Sequence, residues 1–357
     1  VQLDRSARER RLVRLATPEI ERVARRVRRV FESLERLPYL SDEDLRDYRY
    51  YERLFDEAFE GMDRKARDGR LRPLDLRGFP QDLRYPGYSP RLGIFIGSFD
   101  PFQMTHLAMA LRFLSSDASE ADALIVVPEG ALDPLKPRRT EYGFRYEILR
   151  RQLAGILDPF VVPLDIGSGA DTIEIVCRLI ALHPGASLRL THVMGSDTLP
   201  VALRLLPDDL EAWRAAAARA QLSLDFSIFV ARRDRRAPLR GLIDAVRRLG
   251  VRIVLDREVI GTPSSSDFRS ERAITLVFPT DAILSRLELL FRYSMNRPWS
   301  TAAMNVPSSA VREGAGQADE GRPSAAEAKA AAGEGLAPCG KPYGSCCPTC
   351  PVRQQSS

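Results

Sequence analysis

The residues best suited to chemistry fall in two short segments. The first is Gly97-Ser98-Phe99-Asp100-Pro101-Phe102-Gln103-Met104-Thr105-His106, which follows an apolar run and leads into a helical pattern. A glycine at a strand end lets backbone amides approach an anion, and a helix amino end adds a dipole that favours phosphate. The segment lacks the glycines of a P-loop or of a dinucleotide-binding turn. The bland alternative is an ordinary strand-to-helix turn whose histidine packs or caps. The second segment is Gly261-Thr262-Pro263-Ser264-Ser265-Ser266-Asp267-Phe268-Arg269. Serine hydroxyls and amides at a helix start, with an arginine one turn on, suit the outer phosphates of a nucleoside triphosphate. A serine run alone is more often a loop.

Metal and disulfide chemistry have less support. The three histidines (His106, His183, His192) are too few and too scattered for a multi-histidine metal site. His192 lies inside an apolar strand and is expected to be a core residue. Cys177 stands alone in the body of the chain, so no disulfide framework exists there. That fits a reducing cytoplasm, with Cys177 an inert core residue on a helix. The remaining cysteines, Cys339, Cys346, Cys347 and Cys350, crowd the tail. Four thiolates there could hold zinc, although the spacing matches no ribbon or finger. The alternative is a reactive, flexible tail.

The elements that must position the two segments are legible from periodicity. Thr17 can cap a helix, and Pro18 suits its first position. Ile20, Val23, Val27, Val30, Leu34 and Leu37 make one apolar face. Ser41 with Asp44 resembles a capping box, and Leu45, Tyr48, Phe55, Phe59 and Met62 form a second face. Residues 1–67 therefore read as a helical hairpin, followed by a Pro-, Gly- and Arg-rich linker over 68–90. Then come short, nearly continuous apolar runs at Leu92–Ile96, Ala123–Val127, Leu188–Val193, Phe226–Ala231 and Val251–Leu255. Helical stretches alternate with them, at Leu107–Leu114, Tyr142–Leu153, Thr172–Leu182 and Leu239–Leu249. Strands apolar on both faces, alternating with helices, predict a parallel sheet covered on both sides. Such sheets bind ligands at the carboxyl ends of their strands. The expected fold is thus α/β, a Rossmann-like parallel sheet with helices on both faces, preceded by the hairpin. The sheet domain is expected over 91–298, and a disordered Ala-, Gly-, Pro- and Ser-rich tail over 299–357.

Composition excludes several classes. No run of 18 apolar residues occurs, so no membrane span is expected. The arginine-rich start has no apolar stretch of leader type, and the expected location is the cytoplasm. The chain has 53 basic and 48 acidic residues, a net +5. Residues 1–36 carry 11 Arg and 6 acids, also +5, so the rest is neutral and a nucleic-acid surface is not indicated.

Residues 97–106 resemble the signature of the HxGH nucleotidyltransferase superfamily, and within it the nicotinate and nicotinamide mononucleotide adenylyltransferases. The pattern is Gly-Ser-Phe-Asp-Pro followed by a four-residue element ending in His, here Gln103-Met104-Thr105-His106. The sequence keeps the final histidine and departs at Gln103 and Thr105. Residues 261–269 resemble the family's Ile-Ser-Ser-Thr-x-Ile-Arg element, with Ser264 lying 166 positions after Ser98 (264 − 98). Leu135-Lys136, followed by Arg145 on the next helix, is similar to the family's basic loop. Asp171-Thr172-Ile173 resembles a helix start beside the nucleotide substrate. Gly195-Ser196-Asp197-Thr198-Leu199 resembles a Gly-Ala-Asp-x-Leu element, with Trp213 following. Phe226–Arg232 resembles a strand that ends in an arginine. The likeness covers about residues 91–295.

The resemblance implies adenylyl transfer from ATP to a mononucleotide, with magnesium carried on the triphosphate. It implies His106, Lys136 and Arg269 as catalytic groups. Gly97, Ser98, Phe99, Gln103, His106, Gly195, Asp197, Ser264, Ser265, Ser266 and Arg269 would bind ATP. Asp171, Thr172 and Trp213 would face the second substrate, with a plain core position the other reading of Trp213. Three readings compete: a nicotinate or nicotinamide mononucleotide acceptor; another acceptor, such as pantetheine phosphate or glycerol phosphate; and a degenerate nucleotide-binding or interaction scaffold, motivated by Gln103 and Thr105. The hairpin is open to three uses: covering a sheet face, forming a homo-oligomer contact, or binding a partner.

Overall fold

The computed structural model describes residues 15, 17–34, 42–72, 91–131, 140–183, 187–233, 238–260 and 277–284. Two helices come first, α1 (Pro18–Leu34) and α2 (Asp42–Arg67). The alternating part follows: β1 (Arg91–Gly97), α3 (Met104–Ser115), β2 (Ala123–Pro128), α4 (Tyr142–Leu153), β3 (Val161–Pro163), α5 (Thr172–Leu182), β4 (Ser187–Gly195), α6 (Leu199–Arg219), β5 (Ser223–Arg232), α7 (Arg240–Arg248) and β6 (Arg252–Val259). A short helix, α8 (Asp281–Leu284), ends the described chain. Of the expected linker over 68–90, residues 73–90 lie outside the described residues, as does the expected tail, and no described helix is long and apolar enough to cross a membrane.

All described strand pairs are parallel, in the order β3-β2-β1-β4-β5-β6. This is the doubly wound Rossmann order, with its switch between β1 and β4. Side chains alternate along β1: Phe95 belongs to one apolar cluster, while Leu92, Ile94 and Ile96 belong to the other. Alternating strand positions thus feed two cores, one per sheet face. The second core takes in α5, α6 and α7. The first takes in α3 and α4 and continues without a break into α1 and α2.

The hairpin therefore shares a core with the sheet. Ile20, Val23, Val27, Val30 and Leu34 of α1 are buried, as are Tyr48, Phe55, Phe59 and Met62 of α2. Phe31 and Phe55 pack at 5.7 Å, and both approach Phe278. Two elements were not anticipated from periodicity. β3 has only three residues and ends in proline. Helix α6 has Pro200 near its start and Pro207 inside it.

Candidate active site at the switch point

The site is assembled from the segments that leave β1, β4 and β5. After β1, Phe99 takes a positive φ of 40°, uncommon for a residue with a side chain. The turn drives its ring inward. The ring is buried and meets Phe95, Phe102 and His106 edge-on or nearly so, at centroid distances of 5.0, 5.3 and 5.1 Å. Phe95 and Phe102 also lie near His106, at 5.9 and 5.4 Å. Phe99 therefore holds the histidine, and only its backbone remains to face a nucleotide.

Gln103 occupies the N-cap position of α3, and its backbone N–H donates to His106 Nδ1 at 3.1 Å. An imidazole whose Nδ1 accepts must carry its neutral-state proton on Nε2. Burial among the aromatic rings, with the positive charge of Arg233 second, pushes the His106 pKa down to about 3. His106 is thus a neutral Nε2–H donor. Backbone geometry alone makes the bond that fixes its tautomer, so the glutamine at position 103 leaves that bond intact.

The opposite wall comes from β4 and β5. Gly195 ends β4, where a Cβ would come within 2.3 Å of Asp197 Oδ1 and 3.0 Å of Arg233 Cδ. Only glycine lets these side chains cross there. The Arg233 backbone N–H donates to Ser196 Oγ at 3.0 Å, and its Nη1 donates to Asp197 Oδ2 at 2.7 Å. The Arg233 side chain is largely enclosed while that of Asp197 is exposed, so Asp197 anchors the guanidinium from the solvent side. The resemblance pointed to Arg232 as the arginine that ends the strand. The cation whose charge acts on His106 is the next residue, Arg233, and its only sequence signal is its place after a strand's carboxyl end.

Arg145 binds the rim together. It is 1% exposed and donates to the Ser98 carbonyl, to Glu129 O at 2.8 Å and to Thr140 O at 2.8 Å. One guanidinium thereby ties the segments after β1, after β2 and before α4. Gly97 O adds a bond from Glu129 N at 2.9 Å. Thr172 donates to Glu129 Oε1 at 3.2 Å, which places Glu129 beside the expected acceptor side. The Asp171 carboxylate caps α5, accepting from Glu174 N at 2.9 Å.

Trp213 departs from a base-stacking role. It is 1% exposed, its ring packs on Phe226 at 4.7 Å, and its indole N–H donates to Ile173 O at 3.3 Å. Leu206, Leu210, Trp213 and Ala217 recur at helical spacing and turn into the core, so both ring faces are covered. His192 is also buried, and burial lowers its pKa to about 4. Lys136, Ser264, Ser265, Ser266 and Arg269 lie outside the described residues, as do the tail cysteines. Among the described residues no three His, Cys, Asp or Glu side chains converge as a metal site.

No protein-family model matches the chain. A probable nicotinate-nucleotide adenylyltransferase of Gemmatimonas aurantiaca is 35% identical over 120 residues, covering 32% of this chain and 53% of that protein. The chain thus spans about half the length of this curated relative. Among solved structures, a Plasmodium falciparum nicotinic acid mononucleotide adenylyltransferase complexed with NaAD aligns at 17% identity and TM-score 0.37, over 56% of this chain and 97% of that one. Thermotoga maritima TmcAL bound with alpha-thio ATP aligns at 15% identity and TM-score 0.29, over 57% and 55%.

Proposed function

We propose that this chain, which resembles the nicotinate and nicotinamide mononucleotide adenylyltransferase-like nucleotidyltransferases, transfers the adenylyl group of ATP to one of those mononucleotides. The acceptor's phosphate oxygen attacks the α-phosphorus, and pyrophosphate leaves. The observation that carries this reading is a tautomer-fixed His106 at the switch point between β1 and β4, with the Asp197-anchored Arg233 after β5 near enough for its charge to act on the imidazole. Such a reaction needs positioned reactants and donors aimed at spreading negative charge, with no covalent intermediate. His106 supplies an Nε2–H donor, Arg233 a fixed cation, and the amino end of α3 its dipole. Gly97, Ser98, Gly195 and Asp197 shape the cleft that takes the nucleotide. Lys136, Ser264, Ser265, Ser266 and Arg269 are proposed for the outer phosphates, and Asp171 and Thr172 for the acceptor side. Magnesium is proposed to arrive with ATP, as the resemblance implies, where it would supply positive charge to the triphosphate.

The test is pyrophosphate release from the purified chain with MgATP and a panel of phosphate acceptors. Turnover with a nicotinate or nicotinamide mononucleotide is expected. His106→Ala should then lower kcat roughly 100-fold, as for loss of one donor to the transition state. ATP binding without turnover on any acceptor would refute adenylyl transfer and leave a nucleotide-binding scaffold.

A further inference from the structure

Residues 18–67 belong to none of the motifs that define the site, yet α2 lies directly along α3, the helix that carries His106. Ten of the twelve residues of α3 are buried, so the helix is enclosed on nearly all sides. The sheet covers one side and α2 covers another. Three contacts fix the pair. Near the start of α3, Tyr51 Oη and Thr105 Oγ1 lie 2.7 Å apart, both buried. At its end, Lys65 Nζ donates to Leu114 O at 2.6 Å. Beside that, a Cβ on Gly61 would come within 2.9 Å of Ser115 Cβ and 3.1 Å of its carbonyl oxygen, so the two backbones nearly touch. The helix is thus held at both ends by one strut.

The first contact matters most for chemistry. Thr105 stands between Gln103, whose N–H orients the imidazole, and His106 itself. Burial, the largest cause, pushes the Tyr51 phenol up to about 12, so it keeps its proton throughout the working range. It can therefore serve as a permanent hydrogen-bond partner for the threonine.

We propose that Tyr51 is a positioning residue: its bond to Thr105 pins the first turn of α3 and thereby fixes the place and tautomer of His106, making the hairpin part of the active unit. The catalytic consequence rests on the adenylyl-transfer reading; the positional one does not. The position of threonine in this turn follows from the same contact, because its hydroxyl is the group that α2 grips.

The test uses the full chain and four variants: Tyr51→Phe, Thr105→Val, both together, and Thr105→Ser. The two single losses should each lower kcat about tenfold with the KM for ATP within twofold. Thr105→Ser keeps a hydroxyl and should stay near the parent. Removing both partners leaves no buried hydroxyl stranded, so the double variant should recover melting temperature. Its kcat should remain about tenfold low. A double variant that regains kcat together with melting temperature would mean packing alone, and would overturn the proposal. The second readout needs no turnover. Only three histidines exist, so the His106 imidazole signals can be assigned in nitrogen-15 NMR spectra by their loss in His106→Ala. Tyr51→Phe should shift them from a single Nε2–H tautomer toward a mixture. Unchanged signals would overturn the proposal whether or not the chain turns over. If the signals shift while no acceptor reacts, the positioning holds and only the adenylyl-transfer reading falls.

Discussion

Replacing Arg145 by methionine tests how the rim of the site is held. Methionine retains an unbranched apolar stem and removes every donor. Three carbonyls, those of Ser98, Glu129 and Thr140, then each lose a charged donor in a site where the arginine was 1% exposed. A hydrogen bond with a charged partner contributes roughly 1.5–3 kcal/mol, so three would sum to several kcal/mol if independent. They are not independent, and burying a guanidinium itself costs desolvation. The loops can also open to water once the staple is gone. A net loss of about 3–5 kcal/mol is therefore expected, since each buried acceptor left unsatisfied costs roughly 1–3 kcal/mol. Urea denaturation followed by circular dichroism would measure it, and calorimetric titration would measure ATP binding. Affinity should fall about tenfold or more, because the Ser98 carbonyl anchors the turn offered to phosphate. Arg145→Lys should recover part of the stability through a single bond. If Arg145→Met loses less than about 1 kcal/mol and binds ATP as before, the three-loop staple is not what shapes the site.

Three further outcomes follow from other contacts. Burial, with Arg70 second, pulls the Lys65 ammonium down to about 7 from an ordinary 10.5. Between those values the unfolded chain binds a proton that the folded chain has released, so stability should rise with pH by about 1.4 kcal/mol per unit. Lys65→Met should flatten that slope between pH 7.5 and 9.5, and parallel curves for both proteins would refute the reasoning. Trp213→Ala should cost about 3–5 kcal/mol of stability with nucleotide affinity in the surviving folded protein within twofold, as for a core aromatic; a large affinity loss with little destabilisation would return Trp213 to the site. Gly195→Ala should displace the Asp197–Arg233 pair and weaken ATP binding about tenfold, read by titration, whereas unchanged affinity would remove that pair from the nucleotide cleft.

The sequence determined the alternation of strands and helices and the location of the phosphate-facing turn. Five of the six described strands contain short, nearly continuous apolar runs, the pattern expected of strands covered on both faces. The turn at 97–106 was legible because glycine, a strand end and a helix start act through local geometry. The short β3 was not, since three residues ending in Pro163 carry no periodicity of their own. What only the tertiary structure decided are relations between distant segments. Arg145 and Arg233 are two among many arginines in the sequence, and their roles come from which carbonyls and carboxylates the parallel strands bring beside them. Trp213 could stack a base or fill a core until the packing of α6 against β5 buried it. The hairpin's amphipathic faces required a partner without naming one. The partner is α3, whose sequence, MTHLAMALRFLS, leaves almost no polar face for water and so has to be covered from both sides.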